Sequence, residues 1–416
     1  MGLGKTIQAI GALRVLARAG RLMPALVVAP ASLVLQWRAE LQAWAPELRL
    51  ATARGSAEER RAAWRAEADV TIVGYESLIA DMRGRFPGAP RHRAWGVVIA
   101  DEAQRLKNPK TETNRTLASL RRNQTWALTG TPLENELADL VTILEFVAPG
   151  RYDRKTMLVG LRRATAELQV RRRRAAVLPT LPAKTRFVID PGMTPAQRDA
   201  YDIAEREGRV WLRAFGAEIR IEYVLELILR LKQICNAHPR TGASAKLDDL
   251  ARRVGEIVAT GDKVLVFSQF VAAPFGVDAV AERLRAFRPL TVVGGQDAAA
   301  RAMMIDRFNT DPARRVLVLS LKAGGVGLNL VAATTVFHFD HWWNQAATAQ
   351  AEDRAHRIGQ QRAVQVFSYL CGDTIEDRIA AIIARKQALF DTYVDGIDLP
   401  DLRRLGLADL LEAVGV

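Results

Sequence analysis

The sequence predicts an α/β chain built as two parallel-sheet lobes joined by a helical insertion. Short apolar runs alternate with longer amphipathic stretches over residues 1–150, arginine-rich helical sequence fills 151–245, and the alternation returns over 246–395 before a tail at 396–416. Such strand and helix alternation marks a parallel sheet covered on both faces, with ligands held at the carboxyl ends of its strands. With 416 residues, 49% of them hydrophobic, the chain has material for two or three buried cores.

The elements follow in order. Gly2-Leu3-Gly4-Lys5-Thr6 precedes a helical run from Ile7 to Ala19 and matches the second half of a phosphate-binding loop. In such a loop, backbone N–H groups cradle phosphates, the lysine reaches the outer phosphates and the hydroxyl meets Mg²⁺. Met1 falls on the loop's third position, so the expectation is a chain truncated at its N-terminus; the competing reading is a flexible glycine-rich end. Ala25–Ala29, Val70–Val73, Val97–Ala100 and Trp126–Thr129 read as strands. Beyond Arg151 come Arg171-Arg172-Arg173-Arg174, which suits a solvated helix face or a phosphate contact, and the helical segment Val210 to Asn236. Lys263–Phe267, Leu290–Val293, Val316–Leu319, Thr335–Phe339 and Val364–Ser368 form the second set of strands. Leu402, Leu405, Leu407, Leu410 and Leu411 give the tail a helical spacing.

Chemistry collects at strand ends. Val97–Ala100 runs into Asp101-Glu102-Ala103-Gln104, where an aspartate can hold a metal and the next glutamate can deprotonate an attacking water. The alternative is an acidic strand end facing solvent. Thr129-Gly130-Thr131-Pro132 follows the next strand and offers hydroxyls and a turn beside the same edge. Ser320 to Asn329 carries three glycines, which let backbone approach a phosphate. In Gln350 to Gln360, Arg354 and Arg357 lie three apart on an expected helix, suited to a phosphate or to a solvated face.

Composition narrows the partners. A net charge of +13, from 59 Lys and Arg against 46 Asp and Glu, favours a polyanion. No apolar run reaches membrane-spanning length and no signal-peptide layout opens the chain, so a cytoplasmic location is expected, nucleoid-associated in a bacterium. The two cysteines, Cys235 and Cys371, are too few for a disulfide framework or a four-cysteine zinc site. Cys235 and His238 have the spacing of half a metal site but lack a second pair, which favours helix-end packing. Trp342 and Trp343 suit packing better than base stacking.

The ordered segments Gly2–Thr6, Pro30–Trp37, Asp101–Gln104, Leu128–Asn135, Val264–Phe270, Ser320–Asn329 and Gln350–Gln360 resemble the Swi/Snf family of superfamily-two helicase-like ATPases, a bacterial HepA/RapA-like member among them. Leu181–Lys184, Met193–Gln197, Leu231–Asn236 and Phe339–Asn344 agree, so the likeness spans nearly the whole chain. It implies two RecA-like lobes, ATP and Mg²⁺ as ligands, and double-stranded DNA as track, with a DNA-bound protein or RNA polymerase as remodelling target. By position, Gly2, Gly4, Lys5 and Thr6 would bind triphosphate, Thr6 and Asp101 the Mg²⁺, and Glu102 would be the catalytic base. Arg354 and Arg357 would be arginine fingers; Gln350 and Gly327 would close the second lobe on the nucleotide; Thr129, Gly130 and Thr131 would couple hydrolysis to DNA. Departures are His341 and Gln345, where the family more often has prolines, and a short 151–171 region. A strand-separating helicase and a catalytically dead nucleic-acid-binding remnant are the alternatives.

Overall fold

The structure is a computed structural model describing residues 3–84, 86–129, 137–151, 167–170, 181–324, 328–340, 345–393 and 406–416. It divides into two compact units, Leu3–Val177 and Leu178–Asp395 with Leu402–Val416.

The first unit runs α1 (Lys5–Arg18), β1 (Ala25–Ala29), α2 (Val34–Trp44), β2 (Leu50–Ala53), α3 (Ala57–Arg65), β3 (Val70–Gly74), α4 (Tyr75–Met82), β4 (Trp95–Asp101), α5 (Glu112–Ala118), β5 (Arg122–Leu128) and α6 (Leu137–Val147). Among the described residues the sheet order is β2-β3-β1-β4-β5 and every pairing is parallel, with Val27 between Ile72 and Ile99. β1, β3 and β4 are buried along their whole length, which is why they read as unbroken apolar runs. β2 escaped the sequence reading because Leu50-Ala-Thr-Ala53 has a single β-branched residue. β5 starts four residues before the expected Trp126, because Arg122 is bound into the core edge. Its guanidinium donates to the carbonyls of Leu117, Ala118, Leu120 and Phe146, and so caps α5 and the end of α6.

The second unit comprises β6 (Lys184–Ile189), α7 (Pro195–Arg213), α8 (Ile221–Asn236), α9 (Ala245–Ala259), β7 (Val264–Ser268), α10 (Val277–Arg283), β8 (Leu290–Val292), α11 (Ala298–Thr310), β9 (Val316–Ser320), α12 (Leu321–Gly324), β10 (Thr335–His338), α13 (Gln345–Glu352), β11 (Val364–Tyr369), α14 (Ile375–Tyr393) and α15 (Leu407–Val414). Its sheet, β6-β11-β10-β7-β9-β8, is again parallel throughout. The stretch expected to be helical thus contains a strand: β6 lies along β11 as an edge, with Phe187 stacked on Phe367. Its largely exposed face gives no apolar run to detect. α7 starts on a capping box between Thr194 and Gln197 with Pro195 in its first turn. Tyr201, Leu212, Val224 and Leu231 of α7 and α8 form one core with Ile375 and Ile379 of α14 and Leu410 of α15, with Leu411 packed against it; Leu402 and Leu405 of the leucine-spaced tail lie outside the described residues.

Candidate active site

In the first unit the site is built where α1 begins and β4 ends. Gly4 caps α1 at φ 70°, a left-handed conformation that any side chain would strain. No side chain caps this helix and no acid occupies its first turn. Ser56, Thr194 and Ser244, by contrast, each cap their helices by accepting an N–H. The first amides and Lys5 of α1 therefore offer positive charge to an anion.

Asp101 and Glu102 sit at the carboxyl end of β4, between β1 and β5. Trp37 Nε1 on α2 donates to Asp101 Oδ2 at 2.8 Å, and the Glu102 N–H donates to Asp101 Oδ1 at 2.9 Å. Tyr75 Oη donates to the Asp101 carbonyl at 2.7 Å. Burial pushes the Asp101 carboxyl above the usual range, aided by the neighbouring Glu102 charge and opposed by the Trp37 bond and the Lys5 charge. Glu102 itself lies at φ 51°, ψ 52°, a costly conformation for a residue with a side chain. It is held from outside: Gln104 Nε2 donates to Glu102 Oε2 at 2.7 Å, and Thr129 Oγ1 donates to Gln104 Oε1 at 2.8 Å. A chain of hydrogen bonds thus joins the end of β4 to the end of β5.

The donor set of this unit suits a small divalent cation. Asp101 brings a carboxylate and Thr6 a hydroxyl, both hard oxygen donors, and the Lys5 charge acts on Asp101.

In the second unit the expected helix through Arg354 and Arg357 does not continue. α13 ends at Glu352, and both arginines follow in a turn. The cause is tertiary. Gln360 Nε2 donates to the carbonyls of Val331, Ala333 and Ala355, His356 Nε2 bonds the Pro182 carbonyl at 2.7 Å, and the Arg354 carbonyl accepts from Leu330 N. These bonds pin the turn beside the amino ends of β10 and β11. Glu352, 2% exposed, accepts from Lys184 Nζ at 2.7 Å and from Arg186 Nη2 at 2.6 Å. Burial alone would raise its carboxyl; the His338 ring 3.7 Å away, the bond from Arg186 and the Lys184 charge outweigh this and hold it well below the ordinary range. Arg357 Nη1 lies 3.5 Å from the Leu328 carbonyl, and Gln350 sits half-buried on α13.

The structure therefore brings Gly4, Lys5, Thr6, Asp101, Glu102 and Thr129 into one unit, and Gln350, Arg354 and Arg357 into the other. Gly2, Gly130, Thr131 and Gly327 lie outside the described residues, as do Arg171–Arg174 and His341–Asn344. Trp37, Tyr75, Gln104, Glu352 and Gln360 carry roles that sequence reasoning did not assign, although all but Tyr75 stood inside the segments singled out. His238 Nδ1 accepts from the N–H groups of Arg240 and Thr241, the expected helix-end role. Cys235 is buried in the last turn of α8, likewise a helix-end role, where its carbonyl lies 3.8 Å from Cys371 Sγ, a proximity hidden by a separation of 136 residues.

Comparison with known proteins places these features in a family. The SNF2-related domain model matches residues 1–240, and the helicase conserved C-terminal domain model matches residues 245–359. An uncharacterized ATP-dependent helicase of Mycoplasma genitalium is 31% identical over 94% of this chain and 39% of its own length. A Bacillus subtilis protein named as an ATP-dependent helicase/translocase is 32% identical over 95% of this chain and 46% of its own. The chain spans less than half the length of these relatives. The Sulfolobus solfataricus SWI2/SNF2 ATPase core in complex with dsDNA is 27% identical, covering 99% of this chain and 91% of that one at a TM-score of 0.45; the fold rests on the strand orders.

Proposed function

Because the chain belongs to the Swi/Snf helicase-like family, whose SNF2-related domain model matches more than half of it, we propose that it hydrolyses ATP and couples the cycle to movement along double-stranded DNA or to remodelling of protein–DNA complexes. One observation carries the hydrolytic part. Glu102 stands in a strained conformation at the end of β4, tied through Gln104 to Thr129 and adjacent to an Asp101 whose two oxygens are already oriented. Lys5 and the α1 amides bind the phosphates; Thr6 and Asp101 would hold Mg²⁺, which when bound would supply charge neutralisation at the phosphate oxygens. Glu102 orients the attacking water and takes its proton, while Arg354 and Arg357 supply guanidinium charge to the transferring group. The Gln104 bridge gives Thr129 a direct means of sensing the state of Glu102.

The net charge of +13 supports a polyanionic track. A DNA-bound protein, RNA polymerase among them, is the remodelling target in this reading. ATP hydrolysis measured with and without duplex DNA over a salt series tests it. The expected result is stimulation by duplex that falls steeply with salt, as phosphate contacts release counterions. A rate indifferent to both DNA and salt sinks the reading. Displacement of a triplex-forming strand from an intact duplex supports translocation; separation of a plain duplex makes the chain a helicase instead.

A further inference from the structure

We propose that Trp37 is the positioning residue for Asp101, its indole N–H aiming the carboxylate that receives the divalent cation. The proposal deepens the nucleotide-site reading and rests on it. Trp37 is 1% exposed and Asp101 5%. The indole donates to Oδ2 at 2.8 Å, the Glu102 N–H takes Oδ1 at 2.9 Å, and Tyr75 fixes the carbonyl of the same residue at 2.7 Å. Two donors thus set the plane of the carboxylate and a third fixes its backbone, and each carboxylate oxygen keeps a lone pair for a cation or its waters.

Trp suits this task because of what its N–H cannot do. An indole N–H only donates, so it neither binds the cation nor competes for it. Its ring is buried, and if the carboxylate swung away a buried N–H would be left without a partner. The first unit also contains a like pair with a different setting: Trp64 Nε1 donates to Asp81 Oδ2 at 2.8 Å, and Trp64 is likewise 1% exposed. Asp81, however, also receives the Arg60 guanidinium on both oxygens. Its charge is already met by a fixed cation, so that pair is structural and serves as the internal control.

The test is equilibrium binding of a fluorescent ADP analogue, titrated with Mg²⁺ and repeated in EDTA, for the parent chain, Trp37→Phe and Trp64→Phe. Supporting partners of metal ligands are worth roughly 10–100-fold in metal affinity. Trp37→Phe should therefore need about tenfold more Mg²⁺ or greater for half-maximal effect, with metal-free affinity within about twofold of the parent. Trp64→Phe should leave the Mg²⁺ midpoint unmoved even where it lowers thermal stability. A Trp37→Phe midpoint within about twofold of the parent, or an equal shift in both variants, overturns the positioning role. Absence of any Mg²⁺ effect in the parent overturns the site reading itself, and this inference with it. If Trp37→Phe does not fold, the ¹⁵N-indole resonance of Trp37 in the parent decides: it should move on adding Mg²⁺ and ADP and not on ADP in EDTA, and a resonance indifferent to the metal contradicts the proposal.

Discussion

Lys246→Met should destabilise the second unit at neutral pH. Lys246 and Glu376 are both 0% exposed, with Lys246 Nζ 2.8 Å from each Glu376 oxygen and 3.1 Å from Asn236 Oδ1. The Glu376 charge holds the ammonium above its ordinary range although burial works against it. Removing one member of a buried pair typically costs about 3–5 kcal/mol, because an uncompensated charge is left behind. The loss should then be about 3–5 kcal/mol at pH 7, roughly 6–20 °C in melting temperature for a unit of this size. Lys246→Met/Glu376→Gln should recover much of the loss at pH 7, since the amide still accepts the Cys371 N–H now bonded at 3.0 Å. Urea unfolding followed by circular dichroism at pH 7 measures each quantity. A single variant within about 1 kcal/mol of the parent, or a double variant no more stable than the single one, refutes the reasoning.

Gly276→Ala should cost about 2–3 kcal/mol in the same assay, because a Cβ there would meet the Phe270 carbonyl and lie 2.7 Å from Val271 N, backbone atoms that cannot step aside; an unchanged unfolding midpoint contradicts this. Glu352 is held below its unfolded value of 4.5, so its contribution is present above that pH and drains away as pH falls below it. Glu352→Gln should accordingly lower neutral stability and flatten the stability profile between about pH 5 and pH 2, and an acid limb as steep as the parent's counts against the network. Arg357→Ala should lower the single-turnover hydrolysis rate by orders of magnitude, about 10³-fold or more if it acts as arginine fingers do, with little change in ATP affinity; a rate within about threefold of the parent makes it a solvated turn residue.

What could be read from sequence followed how local the cause was. β1, β3, β4, β7 and β9 were legible because strands buried on both faces need unbroken apolar runs. β6 was not, since an edge strand with an exposed face asks for no such run. Asp101 and Glu102 were legible as adjacent carboxylates after a strand. The bond from Trp37 spans 64 residues and has no local signature. The three-residue spacing of Arg354 and Arg357 suggested a helix, yet Gln360 reaches 27 and 29 residues back to Ala333 and Val331 and holds the chain in a turn. Periodicity records what neighbours along the chain want; contacts made across the fold override it.

Hydrolysis by Glu102→Gln under single-turnover conditions, with ATP and duplex DNA saturating, tests the central claim most directly. The amide keeps the shape of the side chain and the bond from Gln104 while losing the base. The account predicts nucleotide binding within about twofold of the parent and a rate lower by about 10²-fold or more. Hydrolysis at the parent's rate would mean that the strained glutamate at the end of β4 is not where water is activated.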